Sequence, residues 1–263
     1  MNYMLNGGLG NQLFQLCHIE KLNFNEKDTY SVAFLGFQNI KLSKITKEIL
    51  CFFNVNEKKD DKFIFLKYYV FKVMHKFGFK NFLFLATDVL NRKSDNEIFC
   101  SYFQWLSFNE ILSLNSIIVD FFNFDLYEDR CFLHIRGGDY FLPKNAKIYS
   151  KLPISYYQKS IEHMISNYNV KKIIIFTNDR SYSQSIIDQL KFQDIEFIFS
   201  NNNTAEKDFI DMSKFKNGII SNSTFSFWSV MINNYKRKNV IAPSQWYEKW
   251  EYPKFINKEW IKK

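Results

Sequence analysis

The chain is 263 residues long and 46% hydrophobic, enough to bury one large core or two moderate ones, which makes it a globular protein. Its formal net charge of +8 points to an acidic partner, whether a nucleotide diphosphate, an anionic membrane surface or nucleic acid, and does not choose among them. Cys17, Cys51, Cys100 and Cys131 show no CxxC spacing, so neither a zinc site nor a disulfide framework is indicated and a reducing cytoplasm is the simplest compartment. The segment from Met1 to Asn6 lacks a basic n-region and a long apolar core, and no run of about twenty apolar residues occurs; secretion and membrane spanning are not expected.

A short strand is predicted at Tyr3–Leu5, followed by the loop Asn6–Asn11 and an apolar-faced helix from about Gln12 to Leu22. The loop runs Gly7-Gly8-Leu9-Gly10-Asn11-Gln12. It is neither a Walker loop, since no Lys-Ser or Lys-Thr follows, nor a clean dinucleotide fingerprint, since Leu13 stands where a third glycine belongs. It reads either as a close-approach ligand loop or as a tight turn with Asn11 and Gln12 near the helix cap. Lys62–Lys80 is basic and aromatic; on a helix, Lys62, Lys72, Lys76 and Lys80 fall within about an 80° arc. Such a segment suits either an ordinary core helix with a solvated lysine face or peripheral contact with an anionic membrane. A strand at Phe99–Phe103 and a helix at Asn109–Leu114 close the first half. The charge-rich Asp125–Arg130 puts the boundary near residue 126, giving domains 1–126 and 127–263.

The second half alternates apolar runs with amphipathic segments, the pattern of βαβ units and a parallel sheet. A buried strand through Phe132, Leu133 and Ile135 is followed by strands at Lys171–Thr177, Glu196–Ser200, Gly218–Asn222 and Asn239–Pro243. Helices are predicted at Ser155–Tyr168, Tyr182–Leu190, Glu206–Lys214 and Phe225–Tyr235, and the last helix can cross back toward the first domain. Three strand ends carry polar groups. The first delivers Arg136 beside Gly137-Gly138, where a guanidinium can hold phosphate oxygens bidentately; an Arg136–Asp139 pair bracing a turn is the competing reading. The second ends in Asn178-Asp179 and the third in Ser221-Asn222-Ser223-Thr224, with helix capping as the competitor at both. Their convergence on one sheet edge is the expected nucleotide site.

Gly7–Gln15, Ser101–Gln104, His134–Tyr140, Tyr156–Ile161, Ser221–Trp228 and Val240–Tyr247 together resemble the α-1,2-fucosyltransferases of glycosyltransferase family 11, over about residues 5–247. The resemblance implies a GT-B-like α/β architecture, two Rossmann-like domains facing a cleft, with GDP-fucose held by the C-terminal one. It implies inversion at the anomeric carbon with no required metal and no cofactor. Carried onto this chain, Arg136 would hold the β-phosphate, His134 would help hold the nucleotide and Asp139 would brace the loop. Ser223, Thr224 and Phe225 would donate to the diphosphate, Asp208 would recognise guanine, and Asn11 would lie near fucose and acceptor. Gly8, Gly10, Asn178 and Asp179 complete the expected substrate-binding set, and Arg136, Asn11 and Asp139 the catalytic one. One position departs from the family's usual pattern of two adjacent arginines: the second is Gly137.

The implied reaction is transfer of L-fucose to O-2 of a galactoside in a bacterial surface-glycan precursor, lipid-linked in the fullest reading, on the cytoplasmic face of the membrane. No general base is singled out; Asp139 and His18 are available. The alternatives are an inactive GDP-sugar or carbohydrate-binding relative and, least favoured, a nucleic-acid binder, for which no RNP or OB signature is recognised.

Overall fold

A computed structural model describes residues 2–21, 29–32, 35, 40–57, 85–86, 98–99, 102–112, 127–233 and 238–263. The basic aromatic segment Lys62–Lys80 lies outside these residues. Contacts divide the chain into two compact units, Met1–Leu114 and Asn115–Lys263; the boundary expected near residue 126 also lies outside the described residues. Among the described residues, no helix is long and apolar enough to cross a membrane.

The first unit contains β1 (Asn2–Met4), α1 (Leu9–Lys21), β2 (Thr29–Ser31), α2 (Lys44–Phe52), β3 (Asn56–Glu57), β4 (Leu85–Ala86) and β5 (Ile98–Phe99). The strands form one sheet in the order β3-β2-β1-β5-β4, and every pairing is parallel. Helix α1 buries Leu13, Phe14, Leu16 and Cys17. Helix α2 opens on Ser43, whose hydroxyl accepts from Thr46 N, and buries Ile45, Ile49 and Leu50 at helical spacing. Helix α1 begins at Leu9, three residues before the predicted start, because Asn11 and Gln12 both donate their amides to Gly8 O (2.9 and 3.1 Å) and close the first turn there. The strand expected at Phe99–Phe103 ends at Phe99 within the described residues, and Phe103 has φ +51°, incompatible with a ladder. A short helix follows at 108–112.

The second unit contains β6 (Tyr127–Ile135), a 3-10 turn (Gly138–Phe141), α3 (Ile154–Tyr168), β7 (Lys172–Thr177), α4 (Arg180–Ile187), β8 (Glu196–Phe199), α5 (Ala205–Met212), β9 (Phe215–Ile219), α6 (Thr224–Met231), β10 (Asn239–Ala242) and β11 (Ile261–Lys262). Its sheet is ordered β11-β10-β9-β6-β7-β8, again wholly parallel. Cys131–Ile135 are all buried, as a central strand covered on both faces requires. Sinking Phe132, Leu133 and Ile135 contributes about 1.5–3 kcal/mol each relative to exposure.

One predicted strand is corrected. Strand β9 runs from Phe215 to Ile219, not from Gly218 to Asn222: Phe215 packs on Tyr127 and Phe132, while Ser221 and Asn222 leave the ladder to bond elsewhere. No helix follows β10 among the described residues. The stretch 243–260 is broken by Pro243 and Pro253 and ends in β11, which joins the same sheet (Ile241 opposite Ile261).

Candidate functional site

In the second unit the chain leaves β6 toward β7 on one side, and only later returns as β9 on the other. Read from β8, the order 3-2-1-4-5-6 puts the reversal between β6 and β9, and ligands of such sheets bind beyond the carboxyl ends at that crevice. The groups emerging there are His134 and Arg136 from β6 and the Ser221–Thr224 turn from β9.

His134 is 3% exposed, its Nδ1 lies 2.7 Å from Ser221 Oγ, and its ring sits 5.8 Å from that of Phe225. Burial, assisted by the Arg136 charge, pushes its pKa down to about 3, so the imidazole is neutral at physiological pH. Arg136 donates from Nη2 to Asp139 Oδ1 at 2.7 Å and lies over the Tyr140 ring at 5.0 Å. Its Nε is buried without a hydrogen-bond partner. The predicted brace therefore exists, yet it uses only part of the guanidinium. A cavity of about 150 Å³ opens beside it, lined among others by Tyr140, Tyr149, Lys151, Tyr182, Asn222 and Glu248. That is smaller than the roughly 300–1,000 Å³ of a whole ligand pocket, and so suits one part of a substrate.

The turn after β6 is clamped from β7. Asn178 accepts from Gly137 N (3.0 Å) and donates to Gly137 O (3.2 Å) and Asp139 Oδ1 (3.2 Å). Asp179 accepts from Gly138 N through Oδ2 (3.0 Å) and caps α4 by accepting from Tyr182 N through Oδ1 (3.1 Å). Both side chains thus have structural work in holding Arg136 in place. Ser223 caps α6, accepting from Phe225 N at 3.3 Å, and the amides of Thr224 and Phe225 start that helix at the crevice. Asp208 stands one helix away on α5, where Oδ1 accepts from Ser200 Oγ (2.7 Å) and Asn202 Nδ2 (3.2 Å); burial pushes its pKa up against those two bonds. Phe209 beside it meets the Phe225 ring at 5.4 Å.

Gly8, Gly10 and Asn11 belong to the first unit. Gly8 is exposed, with nothing within 4 Å of where a Cβ would stand, while Gly10 and Asn11 lie in the first turn of α1, and Asn11 Oδ1 accepts from Gln104 Nε2 at 2.8 Å. His18 is fully buried, stacked on Phe103 at 3.9 Å, which is no position for a general base that must reach substrate.

His134, Arg136, Asp139, Asn178, Asp179 and Ser223–Phe225 are thus brought to one sheet edge. Sequence reasoning missed Lys151, Tyr182 and Glu248 as lining residues, and read Asn222 only as part of a polar strand end. Tyr182 stands just after a recognised strand end and could have been found from that adjacency. Lys151 and Glu248 carry no such signal.

This sheet, with an arginine and a helix N-terminus at its switch point, has the strand order of a Rossmann-like domain. The profile of "Glycosyl transferase family 11" matches residues 117–263, more than half of the chain, and the chain belongs to that family. It is a glycosyltransferase. The O-antigen biosynthesis glycosyltransferase WbnK of Escherichia coli is 28% identical over 98% of this chain and 98% of its own length. An alpha-1,2-colitosyltransferase of Escherichia coli is 31% identical over 49% of this chain and 46% of its own. A family 9 glycosyl transferase from Veillonella parvula aligns in three dimensions over 92% of this chain and 80% of its own, at TM-score 0.42 and 9% identity. The strand order, not that likeness, carries the fold assignment.

Proposed function

We propose that this glycosyltransferase moves L-fucose from GDP-fucose to a hydroxyl, O-2 of a galactoside, on a surface-polysaccharide precursor, with inversion and without a metal. The observation that carries the reading is Arg136, poised at the switch point with a buried, unpartnered Nε beside an open cavity. The acceptor oxygen attacks the anomeric carbon from the face opposite GDP. The bond from that carbon to the β-phosphate oxygen breaks, GDP departs with the electron pair, and the hydroxyl proton passes to solvent or to a carboxylate. Arg136 and the amide end of α6 stabilise the charge that develops on the β-phosphate. Neutral His134 adds no charge and fixes the Ser221 hydroxyl at the base of the turn. Asp208, with Oδ1 engaged, offers Oδ2 to the N1–H and amine of guanine. Asn11, held by Gln104, serves the sugar and acceptor.

The relatives' names support surface-glycan work and the α-1,2 linkage. The acceptor would be an oligosaccharide, lipid-linked and met at the cytoplasmic face of the inner membrane; no cofactor and no nucleic acid enter the reading. Incubation with GDP-fucose and galactoside-terminated acceptors is expected to release GDP only when acceptor is present, and linkage analysis of the product is expected to give the α-1,2 bond. GDP binding with no acceptor-dependent turnover would instead support a binding-only relative. A second donor is favoured by one observation, the colitosyltransferase name, so the same assay is run with the GDP-linked colitosyl donor.

A further inference from the structure

The geometry points to Lys151 as the second cation of the diphosphate site, acting beside Arg136 on the phosphate that departs with the nucleotide. This rests on the donor reading above. A diphosphate leaving group gathers more charge than one guanidinium can match, and Arg136 already commits Nη2 to Asp139. Position 137 cannot supply the missing charge. A Cβ there would come within 2.8 Å of Tyr182 Cδ1 and 2.9 Å of Asp179 Cβ, and both backbone groups of Gly137 are bonded to Asn178.

The ring that closes position 137 is one of two that carry Lys151. Its Nζ lies 5.7 Å from the centre of Tyr182 and 5.3 Å from that of Phe141, rings that themselves meet edge to face at 4.6 Å. The backbone on either side is fixed. Ser150 is buried, donates its amide to Trp246 O (3.3 Å), and accepts through its carbonyl from Asn222 Nδ2 (2.7 Å); Leu152 is buried in the unit's core. Asn222 belongs to the same β9–α6 turn that presents Ser223 and Thr224, so Lys151 is anchored to the diphosphate turn itself. The side chain is exposed and lines the cavity together with Arg136. Glu248 lines it too, and the two cations leave the lining net positive.

The test is equilibrium binding of GDP and GMP, by calorimetry at physiological salt, to the wild type, Lys151→Met, Lys151→Arg and the control Lys144→Met, an exposed lysine of the same loop that does not line the cavity. Thermal melts establish that each variant is folded. Lys151→Met is expected to lose about tenfold in GDP affinity while GMP binding stays within about twofold. Lys151→Arg should retain most of the GDP affinity, and Lys144→Met should resemble the wild type. Equal losses for GDP and GMP, or no loss for either, would overturn the assignment. A wild type that binds neither nucleotide would overturn the donor reading, and the assignment with it.

Discussion

Two turns in this molecule follow the central strand of a parallel sheet, and each contains a glycine in the left-handed region, Gly7 at φ +74° and Gly138 at φ +56°. Their polar groups do opposite work. In the first unit Gln12 is fully buried and makes four hydrogen bonds: it donates to Gly7 O (3.0 Å) and Lys41 O (3.3 Å) and accepts from Ser43 N (3.1 Å) and Thr46 Oγ1 (2.9 Å). Gln15 accepts from Asn6 N, and the stretch Asn6–Gln15 contains no charged side chain. That turn is a knot tying α1 to α2. In the second unit the turn is clamped from outside by Asn178 and Asp179, which leaves a guanidinium donor unspent beside a cavity. Similar topology thus gives one turn whose glutamine is fully spent on packing and another that keeps a guanidinium donor unspent beside a cavity.

The contrast is broken most directly at Arg136. Arg136→Ala should lower kcat by about 10²–10³, the cost of removing one preorganised donor to developing charge. Stability should change by no more than about 1 kcal/mol, because the Arg136–Asp139 pair is partly exposed. Steady-state kinetics with urea unfolding checks both, and a wild-type rate in a folded variant would remove Arg136 from the chemistry. Arg136→Lys should recover only part of the rate, since a point charge lacks the fork.

Gln12→Ala should do the reverse. It removes the acceptor of Ser43 N and of the Thr46 hydroxyl and the donor to the Gly7 and Lys41 carbonyls, costing about 3 kcal/mol in total. Urea unfolding would register it, whereas nucleotide binding to the folded fraction should be unchanged. Gly7→Ala is a smaller lesion of the same turn. Its Cβ would stand 2.6 Å from Asn11 Nδ2 at a φ that L-residues avoid, so a loss of about 1–2 kcal/mol is expected. A neutral result would mean that the backbone tolerates this φ and that the Asn11 and Tyr102 side chains both shift at little cost.

These differences were unevenly legible. The second sheet could be read because its strands are continuous apolar runs, and its site because polar residues break those runs at the carboxyl ends. The register of β9 was hidden by Asn217, a buried polar residue in mid-strand whose amide donates to Glu128 O (3.2 Å) and Arg130 O (3.3 Å) and accepts from Asn239 (2.8 Å). Polarity there marks satisfied burial, while a linear reading takes it for a strand end. In the first unit the strands are two or three residues long, too short to show periodicity, and β2, β3 and β4 went unread. Arg136 was visible as a charge at a strand end. Lys151 was not, because only the folded position of Tyr182 and Asn222 gives it a place.

The two turns also differ in how they answer acid. The Gly7–Gln12 turn holds no titratable side chain, whereas the strand that enters the second turn carries His134, whose folded pKa is depressed to about 3 from the ordinary 6.5, first by burial and then by the Arg136 charge. Below pH 6.5 the unfolded chain takes up a proton that the folded site refuses, so this histidine's contribution is complete above 6.5 and is lost as pH falls toward 3. Between pH 6.5 and 5.5 the loss is set by the unfolded pKa alone, because the folded group stays neutral, and amounts to about 1 kcal/mol. His134→Gln removes the titration and keeps a hydrogen-bonding group near Ser221. Its urea-unfolding free energy should therefore fall by about 1 kcal/mol less than that of the wild type across the same interval, even if the variant is less stable at both pH values. Parallel losses in the two proteins would mean that His134 takes up its proton in the folded state, with a charged imidazole beside Arg136.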